Sequence, residues 1–337
     1  MKHRHSKKQT LMQRKLLLML LLLVAVSIGI YLFFSLSEKQ APPVYGNLDE
    51  RFREETIAYN GVDYRVKPGL NTFLMMGIDQ TEENQYNGKY RSGGQCDFLL
   101  LVVIDTQNKT VHRIQIDRDT MAEITVLGVL GNELGTSTHQ ICLAHGFGDG
   151  KEQSCQYTVE AVQRLMYGID IDGYYAMNMK GIPALNELLG GVTVQIEDDF
   201  SQFDPSMVPG AVVTLHGDQT ELFVRSRMSI GDGTNVSRMR RQQQYLANAI
   251  TLAAQRVQED EKFFSGLLDG LTPYTTTDIA RGRIINEVNR AARYTVEEIL
   301  SLPGEHTEGE DGFIEFHADE TALMQLVLRL FYEQVEG

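Results

Sequence analysis

An uncharged run of 21 residues at positions 16–36 constrains this chain more than any other feature. A helix rises ~1.5 Å per residue, so such a run matches the ~30 Å hydrocarbon core of a bilayer. The run has no polar face, unlike a buried amphipathic helix, and it exceeds the apolar region of a cleaved signal peptide. We therefore predict a cytoplasmic basic segment at residues 1–15 and an uncleaved transmembrane helix at residues 16–36.

Charge supports the same division of the chain. The first 40 residues hold seven Lys or Arg and one acid, whereas the whole chain has 31 Lys and Arg against 45 Asp and Glu, a net charge of −14. The positive-inside rule then places the N-terminus in the cytoplasm and everything after residue 40 or so outside the cell. The external part is strongly acidic, which excludes a general nucleic-acid binder, because that function needs a positive face.

The rest of the chain has the composition of a folded domain, with 42% hydrophobic residues over a length sufficient for a real core. Cys96, Cys142 and Cys155 form an odd set without metal-ligand spacing. One disulfide is allowed outside the cell, but burial of all three as small apolar residues is the favoured interpretation.

The hydrophobic pattern predicts an α/β domain with a mixed sheet that is covered on both faces. Apolar runs at 72–78, 98–104 and 111–116 predict strands, the last two forming a hairpin. Later segments predict helices at 152–168, 182–189 and 238–258, strands at 174–179, 192–196 and 222–227, and two C-terminal helices at 275–300 and 318–335 joined by an acidic loop at 304–312. The polar segment 37–70, with its Pro42-Pro43 pair, is predicted to be an extracellular stalk.

Acidic residues stand at the ends of the apolar strands. Asp79 ends one run, Asp97 opens the next, and Asp117, Arg118 and Asp119 close the third. Carboxylates at one edge of a covered sheet can hold Mg²⁺ through oxygen. Ordinary solvated turn acids are the alternative, and a single pair of acids would favour that alternative.

Arginines near residue 230 point to an anionic ligand. Arg225 and Arg227 are two positions apart on the predicted strand, so both project from one face, and Arg238 and Arg241 share one face of the predicted helix. Planar guanidinium groups suit bidentate contact with phosphate. Surface ion pairing with the abundant acids is an equally open interpretation.

The order of seven motifs resembles the LytR-CpsA-Psr family over about residues 70–255. They are LMMGID, an Asp that opens an apolar strand, IDRDT, HQICLAHGFGDG, GGVTV, LFVRSR and RMRRQQQ. The resemblance implies an α/β/α sandwich at residues 71–255, with a C-terminal helical part at 256–337 packing on it. It also implies a cell-wall transferase that moves a glycopolymer from a polyprenyl-pyrophosphate carrier to a peptidoglycan hydroxyl, typically on N-acetylmuramic acid.

The resemblance assigns roles to particular residues. By position, Asp79 and Asp97 correspond to Mg²⁺ ligands, and Asp119 orients Arg118 or assists proton removal. The pyrophosphate-binding residues it implies, with Gln242 and Gln243 in support, are Arg118, Arg225, Arg227, Arg238 and Arg241.

Two departures from the family pattern leave other functions open. Gln95 stands where the family usually has arginine, and Asp117 stands where proline is often found. Arg91 could reach the site through Gly93-Gly94 in compensation. Hydrolysis of the pyrophosphate, as a main or side activity, is one alternative to transfer. A non-catalytic envelope binding or regulatory protein is the other.

Overall fold

The computed structural model describes residues 56–80, 93–128, 130–260 and 262–335. These residues belong to one compact unit. The strands are β1 (Thr56–Tyr59), β2 (Val62–Val66), β3 (Leu70–Ile78), β4 (Cys96–Asp105), β5 (Thr110–Ile116), β6 (Met121–Leu127), β7 (Glu133–Gln140), β8 (Gly173–Asn178), β9 (Thr193–Gln195), β10 (Val212–Thr214), β11 (Thr275–Thr277), β12 (Thr295–Ser301), β13 (Gly304–Glu308), β14 (Ile314–Ala318) and β15 (Tyr332–Gln334). The α-helices are α1 (Glu152–Leu165), α2 (Gly181–Leu189), α3 (Asp218–Arg225), α4 (Asn235–Glu259), α5 (Phe263–Leu271), α6 (Arg281–Ala291) and α7 (Glu320–Phe331).

Six strands form the central sheet in the order β11-β8-β3-β4-β5-β12. β3 pairs with β8 and β5 pairs with β12 in parallel, while the other neighbours are antiparallel. The predicted mixed sheet is therefore confirmed. The predicted hairpin is also confirmed, because β4 and β5 pair from Leu99↔Ile116 to Asp105↔Thr110.

Helices cover both faces of this sheet. Alternate strand residues such as Leu74 and Leu101 pack into the main core with Val162 of α1 and Val327 of α7. The opposite face bears Phe73, Ile104 and Val111, which pack against Ile279 and Ile284. On that second face, α2, α3 and α4 build a further core around Phe200, Phe223 and Tyr245. This layering places the start of α4 over one end of the sheet.

The predicted strand at 222–227 is wrong, because α3 occupies residues up to Arg225. Its buried residues Thr220, Phe223 and Val224 have the i, i+3, i+4 spacing of a helix face. Asp218 and Glu221 in the first turn favour the helix through its dipole. A short apolar run does not by itself distinguish a strand from a helix, which explains the error.

The C-terminal part is less helical than predicted. Only α6 lies within the predicted helix at 275–300, whereas β11 and β12 join opposite edges of the central sheet. The expected acidic loop is instead strand β13, which pairs with β14. The last predicted helix is confirmed as α7.

Strands and helices cross the boundaries predicted for the stalk and for the main domain. β1 and β2 fall inside the expected stalk, and β2 pairs with β15 near the C-terminus. α4 continues to Glu259, past the expected boundary at residue 255.

All three cysteines are buried and form no disulfide, as the sequence analysis favours. The predicted transmembrane helix at 16–36 lies outside the described residues; within them, no helix has the length and apolar character needed to cross a bilayer.

Candidate functional site

The predicted acids meet where β3 ends and β4 begins. β3 and β4 are antiparallel neighbours, so Asp79, which follows β3, lies beside the first residues of β4. The Asp79 N–H donates to the Gln95 carbonyl at 2.8 Å. Asp97 is the second residue of β4. The sheet therefore places both predicted metal ligands at the same end of two central strands.

Gly93 and Gly94 allow the backbone that precedes β4 to pack this closely. A Cβ at Gly94 would lie 2.1 Å from the Asp79 carbonyl oxygen, and one at Gly93 would lie 2.3 Å from the His145 carbonyl oxygen. The ring of His145 shares a 2.8 Å hydrogen bond with the Gly94 carbonyl. Burial lowers the pKa of His145 to about 4, so the ring is neutral and Nδ1 donates this bond. Arg91 lies outside the described residues.

Asp97 lies between two arginines. Arg118 Nη1 donates to its Oδ1 at 2.5 Å, and Arg238 Nη1 contacts its Oδ2 at 3.4 Å. Arg238 is only 5% exposed. A buried guanidinium needs a counter-charge and filled donors, so Asp97 stabilises both cations.

Three further contacts fix the Arg118 guanidinium group. Its Nε donates to Asp119 Oδ1 at 3.1 Å, and its Nη2 donates to Gln95 Oε1 at 2.6 Å and contacts Cys142 Sγ at 3.2 Å. Burial raises the pKa of Cys142 to about 11, so the thiol is neutral. Gln95, which replaces the arginine expected from the family pattern, therefore serves as an acceptor for Arg118.

Asp119 carries an unused acceptor. Its Oδ2 is buried and has no hydrogen-bond partner among the described residues, and Arg227 Nη1 lies 3.9 Å from it. Burial raises the pKa of this carboxyl group, while Arg118 opposes that shift. A buried carboxylate oxygen with free lone pairs is able to accept a proton or a hydrogen bond from a ligand hydroxyl.

Arg225 and Arg227 reach the site from a helix end rather than from one face of a strand. Arg225 is the last residue of α3, and its Nη2 donates to Asp79 Oδ1 at 2.9 Å while its Nη1 contacts Glu221. Arg227 follows in the next loop. Arg225 and Arg227 thus lie beside Asp79 and Asp119, although the strand predicted to carry them is a helix end.

Arg241 does not join this cluster. Its guanidinium donates to Asp198 Oδ2 at 2.5 Å, to Ser237 Oγ at 3.1 Å and to the carbonyl groups of Phe223 and Ser226. These contacts hold α3 and the following loop against α4. Arg241 therefore stabilises the packing of α3 against α4 next to the charged cluster.

Gln242 and Gln243 lie at the site but are occupied by protein groups. The buried Gln115 of β5 donates to Gln242 Oε1 at 3.1 Å and accepts from Gln243 Nε2 at 2.7 Å. Gln242 Nε2 also donates to the Val224 carbonyl at 3.3 Å. These bonds attach α4 to the sheet.

Asn235, Asp117 and His306 are site residues whose roles the sequence does not reveal. Asn235 bridges Asp117 and Arg238, and His306 contacts Asp117 from β13. A Thr234-Asn235 pair at the start of α4 was the available local signal, because Thr234 caps the helix. No local pattern connects residue 117 with residue 306.

Asp79 and Asp97 fit a Mg²⁺ ion only if a bound phosphate supplies further oxygen ligands. Two carboxylates, Asp79 and Asp97, share the sheet edge, and no group of three or more His, Cys, Asp or Glu side chains among the described residues could hold a metal. Mg²⁺ is commonly bound by one or two carboxylates together with substrate phosphates. Both carboxylates currently accept from arginines, so a metal would compete with those bonds.

An apolar pocket adjoins the charged cluster on the second face of the sheet. Asp97, Arg225 and Arg238 form its polar end, beside Gln242. Its apolar lining consists of Gly77, Ile78, Phe98, Met177, Met179, Ile182 and Val224. The site therefore joins positive charge to apolar surface, which suits an amphipathic anion.

The chain belongs to the LytR_cpsA_psr family, because the model of that family matches residues 39–331. This confirms the resemblance read from the motif order. One relative, the polyisoprenyl-teichoic acid–peptidoglycan teichoic acid transferase TagU of Halalkalibacterium halodurans, is 26% identical over 250 residues, which cover 74% of this chain and 73% of the relative.

Solved structures share the fold. The protein gbs0355 from Streptococcus agalactiae matches with a TM-score of 0.64 at 19% identity, covering 77% of this chain and 86% of that one. A structure described as TagT bound to LI-WTA matches with a TM-score of 0.59 at 19% identity, covering 78% of this chain and 90% of that one.

Proposed function

We propose that this protein is a phosphotransferase that moves a glycopolymer from a polyprenyl-pyrophosphate carrier to a hydroxyl group of peptidoglycan. The observation that carries the proposal is the cluster of Arg118, Arg225, Arg227 and Arg238 beside an apolar pocket. The TagU relative, which this chain matches over most of its length, is named a polyisoprenyl-teichoic acid–peptidoglycan teichoic acid transferase, and that name supports the proposal.

The arginines supply the charge that a pyrophosphate diester requires. Such a donor carries negative charge on both phosphates, and nucleophilic attack on it needs neutralisation and alignment. Arg118 and Arg238 approach from the two sides of Asp97, and Arg225 and Arg227 approach from the α3 end. A Mg²⁺ ion held by Asp79 and Asp97 would neutralise further charge on the phosphate oxygens.

Asp119 is the proposed general base. Its free Oδ2 accepts the proton of the acceptor hydroxyl as that oxygen forms a bond to the sugar-bearing phosphorus. The bond from this phosphorus to the bridging oxygen breaks, and polyprenyl phosphate leaves with the bonding electron pair. The glycopolymer is then joined to peptidoglycan by a phosphodiester.

The first carbons of the prenyl chain are proposed to enter the pocket lined by Phe98, Met177 and Val224, whose volume of about 50 Å³ is too small for the whole chain. A membrane helix at residues 16–36, with the N-terminus in the cytoplasm, would keep this pocket outside the cell and close to its lipid carrier. Confinement at the membrane raises the concentration of the donor at the site.

The proposal is tested with the full chain in detergent, a radiolabelled polyprenyl-pyrophosphate glycan, peptidoglycan fragments and Mg²⁺. Label on the peptidoglycan is expected for the wild type. Arg118→Ala and Asp97→Ala are expected to reduce transfer at least a hundredfold while the folded protein persists. Arg65→Ala is the matched control, because Arg65 is an exposed arginine on β2 paired with Glu333.

The other activities give distinct products. A water-soluble glycan phosphate with unlabelled peptidoglycan would identify a hydrolase. Retention of intact donor on the protein would identify a binding protein. Equal transfer by wild type, Arg118→Ala and Asp97→Ala would contradict the site assignment.

A further inference from the structure

A buried carboxylate lies beneath the Arg118-Asp119 turn and has no role in the proposed chemistry. Asp117 is 4% exposed. Its Oδ1 accepts from the Asp119 backbone N–H at 2.9 Å and from Asn235 Nδ2 at 2.7 Å, and its Oδ2 lies 2.9 Å from His306 Nε2. Three partners from different parts of the chain thus converge on one side chain.

Asn235 transmits this arrangement to Arg238. Its amide nitrogen faces Asp117, so its Oδ1 points the other way and accepts from Arg238 Nε at 3.1 Å and Nη2 at 2.6 Å. The remaining Nη1 of Arg238 faces Asp97 Oδ2 at 3.4 Å. Two of the three guanidinium nitrogens are therefore fixed, and the third is directed into the charged cluster.

His306 brings the C-terminal hairpin into the same chain of contacts. It projects from β13, and its ring packs edge-on against Phe316 of β14 with a centroid distance of 4.9 Å. The Phe316 N–H donates to the Asp119 carbonyl at 2.8 Å. The β13–β14 hairpin is thus attached both to the Asp117 carboxylate and to the backbone of the proposed base.

We propose that His306, Asp117 and Asn235 are positioning residues that fix Arg238 for phosphate binding and Asp119 for proton removal. This inference rests on the proposed function. Charged groups that are held in place before the donor arrives align it better for phosphoryl transfer, and the hydrogen-bonded chain from the β13–β14 hairpin holds Arg238 and Asp119 in this way.

If these residues only stabilised the fold, replacing one of them would lower the free energy of unfolding without changing pyrophosphate binding by the folded protein. The test therefore compares Asn235→Ala with Asn186→Ala, a second buried asparagine that bonds the Val192 N–H and the Leu215 carbonyl away from the cluster. Binding of inorganic pyrophosphate to the full chain is measured by calorimetry. We expect Asn235→Ala to weaken binding about tenfold and to lower kcat for transfer ten- to a hundredfold, whereas Asn186→Ala changes each less than twofold.

His306 provides a conservative rescue. His306→Gln retains a side-chain N–H that reaches toward Asp117, and we expect pyrophosphate binding within twofold of wild type. His306→Ala lacks this donor, and we expect three- to tenfold weaker binding.

The outcomes separate this inference from the proposed function. If the wild type binds pyrophosphate but transfers nothing, and Asn235→Ala binds pyrophosphate about tenfold more weakly, the phosphotransferase function is overturned. The positioning of Arg238 for phosphate is then retained. Wild-type transfer with unchanged binding and kcat in Asn235→Ala would overturn the positioning alone. Equal losses in Asn235→Ala and Asn186→Ala would also overturn it, and a wild type that does not bind pyrophosphate would overturn both.

Discussion

Replacing Asp97 by asparagine leaves two largely buried arginines, Arg118 and Arg238, without their shared carboxylate. The side chains of Asp97 and Arg118 are 15% and 16% exposed, and that of Arg238 is 6% exposed. Removing one partner of a fully buried ion pair costs about 3–5 kcal/mol. Partial solvent access reduces this cost, so we expect Asp97→Asn to lower the free energy of unfolding by about 2–4 kcal/mol.

Thermal unfolding of the full chain in detergent measures this effect. At about 2–4 °C per kcal/mol for a domain of this size, Tm should fall by about 4–16 °C. Asp63→Asn is the control, because Asp63 is an exposed acid on β2, and its Tm should stay within about 2 °C of wild type.

Inorganic pyrophosphate should restore the lost stability of Asp97→Asn without added metal. A ligand at 100 times its Kd stabilises the folded state by about 2.7 kcal/mol, and the variant no longer presents a carboxylate that competes for the arginines. An unchanged or raised Tm for Asp97→Asn would refute the role of Asp97 as counter-charge. The absence of any pyrophosphate effect on the variant would refute the arginine cluster as a phosphate site.

Three further predictions concern neighbouring residues. The pKa of His145 is about 4 in the folded state, below its usual 6.5, so the unfolded chain takes up the proton first as the pH falls. The free energy of unfolding should therefore drop by about 2–3 kcal/mol between pH 7 and pH 4.5. Urea titrations measure this drop, which should be smaller for His145→Gln. Asp119→Asn should lower kcat about 10²- to 10⁴-fold. Because burial raises the pKa of Asp119, the kcat of the wild type should start to decline at a higher pH than an ordinary aspartate would give. A pH–rate profile of both proteins checks these two expectations. Arg241→Gln should destabilise the fold by about 2–4 kcal/mol, because it leaves Asp198 unpaired, yet calorimetry should show pyrophosphate affinity within twofold of wild type.

The sequence predicted the centre of the fold better than its margins. Continuous apolar runs define β3, β4 and β5 because strands covered on both faces need apolar residues at nearly every position. β11 and β12 were missed because edge strands are short or solvent-exposed and carry little apolar pattern. The acidic strand β13 was missed for the same reason, since all five of its residues are exposed.

The candidate site was partly predictable because strand ends and helix starts are local features. Asp79, Asp97 and Arg118 follow from the strand pattern, and Arg238 follows from the start of a helix. Arg241 shares a helix face with Arg238, but only the packing of α3 and its following loop decides that it contacts Asp198 and backbone carbonyl groups. His306 lies 189 positions from Asp117, so only the folded chain brings them together.

The most direct test of the proposed reaction follows the oxygen atom that attacks phosphorus. The full chain is incubated with polyprenyl-pyrophosphate glycan and peptidoglycan fragments in water enriched in ¹⁸O, and the phosphate products are analysed by mass spectrometry. Transfer to a peptidoglycan hydroxyl predicts a glycan–peptidoglycan phosphodiester without ¹⁸O. A glycan phosphate monoester that carries one ¹⁸O atom would show that water is the acceptor and would contradict the account.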